Sequence, residues 1–187
     1  TNRFEATRDK VQKYLNAKHR EEIIFTKGAT EAINLVASSY GKKYINKGDE
    51  ILITELEHHS NYVPWNFLRT EKGAVIKFAQ VNESGDVEIE EIKKLITNKT
   101  KIIAITHISN VTGAVLPITK IVDLAKEKNI PVLIDGTQGA PHSEIDMQKI
   151  GCDFYAISCH KMYGPNGLGL LYMKKKWVDD LPPYQGG

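Results

Sequence analysis

Strands and helices alternate along this 187-residue chain, and the alternation predicts an α/β fold: three layers, with a mostly parallel sheet between two layers of helices. Three observations carry the prediction. Short runs of Ile, Leu and Val are each followed by a segment whose apolar residues recur at spacings of three and four. One run, Ile102-Ile103-Ala104-Ile105, is apolar on both faces, as a central parallel strand must be. The connections between segments are short, with no repeat, low-complexity stretch or linker.

The elements follow in order. Phe4 to Leu15 places Phe4, Val11 and Leu15 on one helical face. Glu22 to Thr26 is a short strand, and Gly28-Ala29-Thr30 opens a helix carried by Ala32, Ile33, Val36 and Tyr40. Gly48-Asp49 turns the chain into the strand Ile51 to Glu55. A helix over Val63 to Arg69 stops before Gly73, and Ala74 to Gln80 returns as strand. Ile89, Ile92, Leu95 and Ile96 mark another amphipathic helix, followed by the strand Lys101 to His107. Pro117 leads into a helix with Ile118, Ile121, Val122 and Ala125 on its apolar face. Pro131 to Asp135, Asp153 to Ser158 and Gly167 to Met173 are the remaining strands, and Lys174-Lys175-Lys176 is expected as a solvated strand end.

Composition narrows the function classes. With 41% hydrophobic and 26% charged residues the chain has an ordinary globular composition, and a net charge of +2 gives no basic face for nucleic acid or a membrane surface. No apolar run reaches the ~18 residues of a membrane span. Two cysteines cannot build a disulfide framework, so a reducing, cytoplasmic setting is expected. His58 and His59 could be half a zinc site, but no third ligand has convincing spacing, and no metal is expected.

In an open α/β sheet, ligands bind beyond the carboxyl ends of the strands. Four strand ends here carry polar groups: Glu57-His58-His59-Ser60-Asn61, His107-Ile108-Ser109-Asn110, Asp135-Gly136-Thr137-Gln138 and Ser158-Cys159-His160-Lys161. Neither a G-x-G-x-x-G between strand and helix nor a phosphate-loop lysine motif is present. Pyridoxal phosphate fits better, since it needs a lysine, a carboxylate facing its ring nitrogen and a phosphate cradle. Asp135 ends an apolar strand, where a protonated ring nitrogen would offset the cost of burying it. The helix start at Gly28-Ala29-Thr30 presents free amides to a phosphate, and Ser158 and His160 add side-chain donors.

These blocks, with Thr26-Lys27-Gly28-Ala29-Thr30-Glu31-Ala32-Ile33-Asn34, Ser109-Asn110-Val111-Thr112-Gly113 and His160-Lys161-Met162-Tyr163-Gly164-Pro165, resemble the cysteine desulfurase and selenocysteine lyase family. The likeness runs almost end to end and is greatest to the SufS-like branch of the class V, fold-type I pyridoxal-phosphate enzymes. It implies that Lys161 is the Schiff-base lysine and a proton carrier, and that His58 stacks on the ring as an acid/base group. Asp135 would pair with the ring nitrogen and Gln138 with the phenolic oxygen. Ala29, Thr30, Ser158 and His160 would hold the phosphate, and Asn110 would sit near the cofactor oxygen and the substrate carboxylate. Ala29 stands where relatives often carry a hydroxyl residue, and Cys159 where many carry Gly.

The resemblance further implies a homodimer, L-cysteine (or L-selenocysteine) as substrate, alanine and an enzyme persulfide as products, and a sulfur-acceptor protein supplying iron-sulfur clusters or other sulfur needs. On this reading residues 1–187 are the cofactor-binding large domain, truncated at its C-terminus, without the small domain, the persulfide cysteine or the carboxylate-binding arginine. Cys159 is not expected to accept sulfur, because a sequence neighbour of the Schiff-base lysine points away from it. Cys152 is expected as a buried core thiol. His107 is left outside the site as a structural residue at a strand end, and His142, after Pro141, is open between a loop-structural and a functional role. The competing expectations are another class V activity (aminotransferase, selenocysteine lyase or epimerase) and a non-catalytic α/β fragment without cofactor.

Overall fold

The structure is a computed structural model that describes residues 2–186; Thr1 and Gly187, the ends of the expected domain, lie outside the described residues. The helices are α1 (Asn2–Tyr14), α2 (Ala29–Tyr44), α3 (Val63–Lys72), α4 (Ile89–Leu95), α5 (Ile118–Glu127), α6 (Gly139–His142), α7 (Met147–Ile150) and α8 (Lys175–Asp180). The strands are β1 (Ile23–Thr26), β2 (Glu50–Thr54), β3 (Val75–Ala79), β4 (Thr100–Thr106), β5 (Val132–Asp135), β6 (Phe154–Ser158) and β7 (Gly169–Met173). They form one seven-stranded sheet in the order β1-β7-β6-β5-β4-β2-β3, in which only β7 runs against the others.

The period of two along each strand divides the core into two faces. Ile51, Ile53, Ile102, Ala104, Leu133, Phe154, Ala156 and Leu171 point to one side, where α2 and α3 bring Ile33, Val36, Trp65 and Leu68. Leu52, Ile103, Ile105, Val132, Ile134, Tyr155, Ile157 and Leu170 point to the other, where Leu15 and Ile92 pack with Ile118, Ile121, Val122 and Ala125 of α5. The central strands are thus apolar on both faces because both are covered. Caps end the helices where the sequence places them: Gly73 closes α3 at φ 73°, a left-handed conformation that costs glycine little.

From β2 the chain crosses to β3 at one edge, whereas from β4 it runs to β5 and β6 in the opposite direction. Right-handed crossovers in opposite directions place α3 on one face and α4 and α5 on the other. The strand order reverses between β2 and β4, and the crevice at such a reversal lies beyond the carboxyl ends of the strands.

The element expectations hold to within a few residues at each boundary, with three differences. The short helices α6 and α7 have no counterpart among the expected elements, because four residues are too few to show a period. Phe4 is half exposed; its ring meets Phe25 at 4.7 Å and Arg8 rather than the core. The triple lysine is not a solvated strand end. Lys175 and Lys176 begin α8; Lys174 donates to the Gly151 carbonyl at 2.7 Å and Lys176 pairs with Asp153 at 2.8 Å. Asp153 also accepts from the Val132 amide at 3.1 Å and the Trp177 indole at 2.8 Å. This buried carboxylate anchors Lys174 and Lys176 beside it, although the Lys176 side chain stays 60% exposed, as expected of a solvated lysine.

Candidate active site

The carboxyl ends of β2, β4, β5 and β6 are neighbours in the sheet, and a cavity of about 230 Å³ opens beside them. His58 and Ser60 reach it from the loop after β2, and Thr106, Ile108 and Asn110 from the end of β4. Asp135, Thr137 and Gln138 follow from β5, Ser158, His160 and Lys161 from β6, and Ala29 and Thr30 close it at the start of α2. All nine residues expected from the sequence border this one cavity. A wider opening of about 560 Å³ shares Thr30, Ser158 and His160 with it.

Two glycines bring α2 to the cavity. A Cβ on Gly169 would fall 2.4 Å from the Cα of Gly28, so the first turn of α2 rests directly on the backbone of β7. Gly169 lies opposite both Thr26 and Ser158 in the sheet. This approach lets the Ser158 hydroxyl accept from the Ala29 amide at 2.9 Å. The serine's own proton is then free to donate, beside the first-turn amides of Thr30 and Glu31.

Asp135 is 4% exposed and ends β5; its Oδ1 accepts from the Thr137 amide at 3.0 Å. Among the described residues no cationic side chain pairs with it. The hydroxyl of Thr137 is buried without a hydrogen-bond partner. A buried carboxylate without a counter-cation and an orphaned hydroxyl on one wall fit a ligand that brings a protonated nitrogen and polar atoms of its own. Lys161 sits in a single tight turn, Cys159–Met162, closed by Tyr163 at φ 60°, and it forms no ion pair among the described residues.

His58 is fixed in its tautomer. Its Nδ1 lies 3.2 Å from the Ser60 amide and 2.8 Å from the Ser60 hydroxyl. An amide can only donate, so Nδ1 accepts and the neutral ring carries its proton on Nε2. Beneath this loop Glu57 accepts from the Thr54 hydroxyl at 2.6 Å, the Asn61 amide group at 2.6 Å and the Thr106 backbone at 2.9 Å. Burial nevertheless pushes the Glu57 carboxyl up to about 8, against those three donors. Asn110 projects from a folded turn in which the buried Ser109 hydroxyl accepts from the amides of Val111 and Thr112, both at 3.3 Å.

Ser60, Thr106, Ile108 and Thr137 border the cavity without being among the residues expected there. Thr137 carries the clearest signal of the four, its place between Asp135 and Gln138 in one motif block. His59 is exposed and faces a different hollow with Tyr62 and Phe78, and His142 is exposed away from the cavity. Cys159 packs with Met162 against the core rather than lining the cavity, and burial raises its thiol. Cys152 is 0% exposed.

The Aminotransferase class-V family profile matches residues 1–187. The chain belongs to the class-V aminotransferase family. It is 46% identical over 187 residues to a probable cysteine desulfurase of Halalkalibacterium halodurans and 49% identical over 188 residues to a cysteine desulfurase of Wigglesworthia glossinidia brevipalpis. All of this chain is matched in both, but only 46% of each relative. The class-V fold is equally plain among solved structures. The cysteine desulfurase CsdA of Escherichia coli, in an S-sulfonic acid form, superposes with a TM-score of 0.96 at 38% identity, covering 100% of this chain and 47% of that one. The chain therefore spans about half the length of the relatives it matches.

Proposed function

We propose that the chain is the cofactor-binding large domain of a pyridoxal-phosphate-dependent cysteine desulfurase of the SufS-like branch, taking sulfur from L-cysteine and leaving L-alanine. The observation that carries the reading is the single cavity bordered by Asp135, a buried carboxylate, by Lys161, an amine, neither with an ion-pair partner among the described residues, and by the amide-rich start of α2. Bound there, pyridoxal phosphate would supply an electron sink for bonds at an amino acid's α-carbon. Lys161 would hold its aldehyde carbon and, once released, move a proton. Asp135 would keep its ring nitrogen protonated, and Gln138 and Asn110 would hydrogen-bond its oxygen. Ser158, His160, Thr30 and the Ala29 segment would hold its phosphate. His58, with its proton on Nε2, is the second acid/base group. Sulfur would leave as a persulfide on a cysteine outside these 187 residues, passing to an acceptor protein from a homodimeric enzyme.

Titration of the chain with pyridoxal phosphate tests this directly. A visible absorption band should appear and be reducible by borohydride, and Lys161→Ala should abolish it. Equal behaviour of the two proteins would remove Lys161 from its role and sink the reading.

A further inference from the structure

Two buried polar side chains beneath the cavity take no part in the roles above. His107 follows β4 and Tyr155 lies within β6; the histidine Nδ1 and the phenol oxygen are 2.8 Å apart, with the rings at 79°. Tyr155 is 0% exposed and His107 7%. Burial lowers the imidazole's affinity for protons and raises that of the phenolate, so the contact is a hydrogen bond between neutral groups.

β5 runs between β4 and β6, so this hydrogen bond spans the end of the strand that carries Asp135. Both rings press on the turn that follows. A Cβ on Gly136 would fall 1.8 Å from Cε1 of Tyr155, and one on Gly139 would fall 2.1 Å from Nδ1 of His107. Neither glycine has a positive φ, so their small size serves the close approach of the rings rather than the backbone conformation. The main chain is tied to the same two residues' strands. The His107 amide donates to the Asp135 carbonyl and the Gly136 amide to the Ala156 carbonyl, both at 2.9 Å.

We propose that the His107–Tyr155 hydrogen bond is a positioning device that holds the Asp135–Gly139 turn and so aims Asp135, Thr137 and Gln138 at the cavity. The geometric claim concerns the turn itself; its consequence for pyridoxal phosphate rests on the proposed function. His107 and Tyr155 are positioning residues, since neither borders the cavity.

Amide hydrogen exchange in the cofactor-free chain tests the geometry, and pyridoxal-phosphate affinity tests the consequence. Tyr155→Phe keeps the ring against Gly136 and removes the hydroxyl; His107→Leu removes the other partner. In both, exchange should quicken about two- to tenfold at Gly136, Thr137 and Ala140, the scale of one lost neutral hydrogen bond, with β2 and β3 unchanged. His107→Asn, whose amide group occupies the place of Nδ1, should restore protection. The double variant Tyr155→Phe/His107→Leu should be no worse than the poorer single one. Cofactor affinity should fall in step with exchange. Unchanged exchange at the turn in Tyr155→Phe, or acceleration spread evenly through the sheet, would overturn the proposal. A wild-type chain that binds no cofactor, with turn-specific exchange still altered, would instead remove the functional reading and leave the positioning device standing.

Discussion

Asp135 and Glu57 are both carboxylates at strand ends, and their partners separate their roles. Asp135 receives one backbone amide and faces the cavity, whereas Glu57 is tied by Thr54, Asn61 and Thr106 and joins the loop of His58 to the end of β4. Burial raises Glu57 from 4.5 to about 8. The folded protein then holds a proton that the unfolded chain has released, so the contribution to stability is full below the unfolded value and is lost as pH rises through the folded one. Relative to Glu57→Gln, the wild type's urea midpoint should fall between about pH 5 and about pH 9. A flat difference over that range would show that the three donors keep the carboxylate charged. The site was legible at this scale wherever a residue's chemistry is distinctive, as for Lys161, Asp135, His58 and His160. Thr30 and Ser158 were legible through the motif blocks that hold them, whereas Thr106, Ile108 and Ser60 were not, because only the strand order turns them to the cavity.

At the scale of elements, the position of α2 depends on its contact with β7. Gly169 touches Gly28 through backbone atoms only, and backbone cannot rotate away. Gly169→Ala should therefore lift the first turn of α2, destabilise the fold by about 1–3 kcal/mol and weaken the Ala29–Ser158 hydrogen bond, read by thermal melting and by loss of phosphate-ester affinity. Gly85→Ala gives the control: a Cβ there would meet no atom within 4 Å, so the substitution tests backbone conformation alone. The helices with apolar periods were legible because their buried faces repeat, as Ile118, Ile121, Val122 and Ala125 do in α5. α8 was not, because its lysines look solvated until Asp153 and Trp177 are placed beside them. Trp177 stacks on Phe154 at 5.8 Å, a partner 23 residues back that no local pattern announces.

Across the whole molecule, four polar strand ends become one site because β2, β4, β5 and β6 are adjacent at the reversal of strand order. The same architecture keeps both cysteines away from that site: Cys152 is wholly buried, its thiol raised by desolvation, and Cys159 packs on the core. In the native chain a thiol reagent should label Cys159 slowly and Cys152 only after unfolding. Incubation with L-cysteine and cofactor should yield little sulfide or alanine. Rapid labelling of both thiols, or turnover with a persulfide on Cys159, would contradict this placement. Among the described residues no helix is long and apolar enough to cross a membrane.

The sequence by itself determined the α/β class, most element boundaries and the chemical types gathered at the strand ends, because periodicity, caps and motif blocks are local properties. Tertiary structure alone decided that β7 runs antiparallel, that Ser158 meets Ala29, that His107 meets Tyr155 across β5, and that Lys174 and Lys176 find Gly151 and Asp153 as partners. Each of those contacts joins residues far apart in the chain, and its partner is chosen by strand order and close packing, neither of which any single segment encodes.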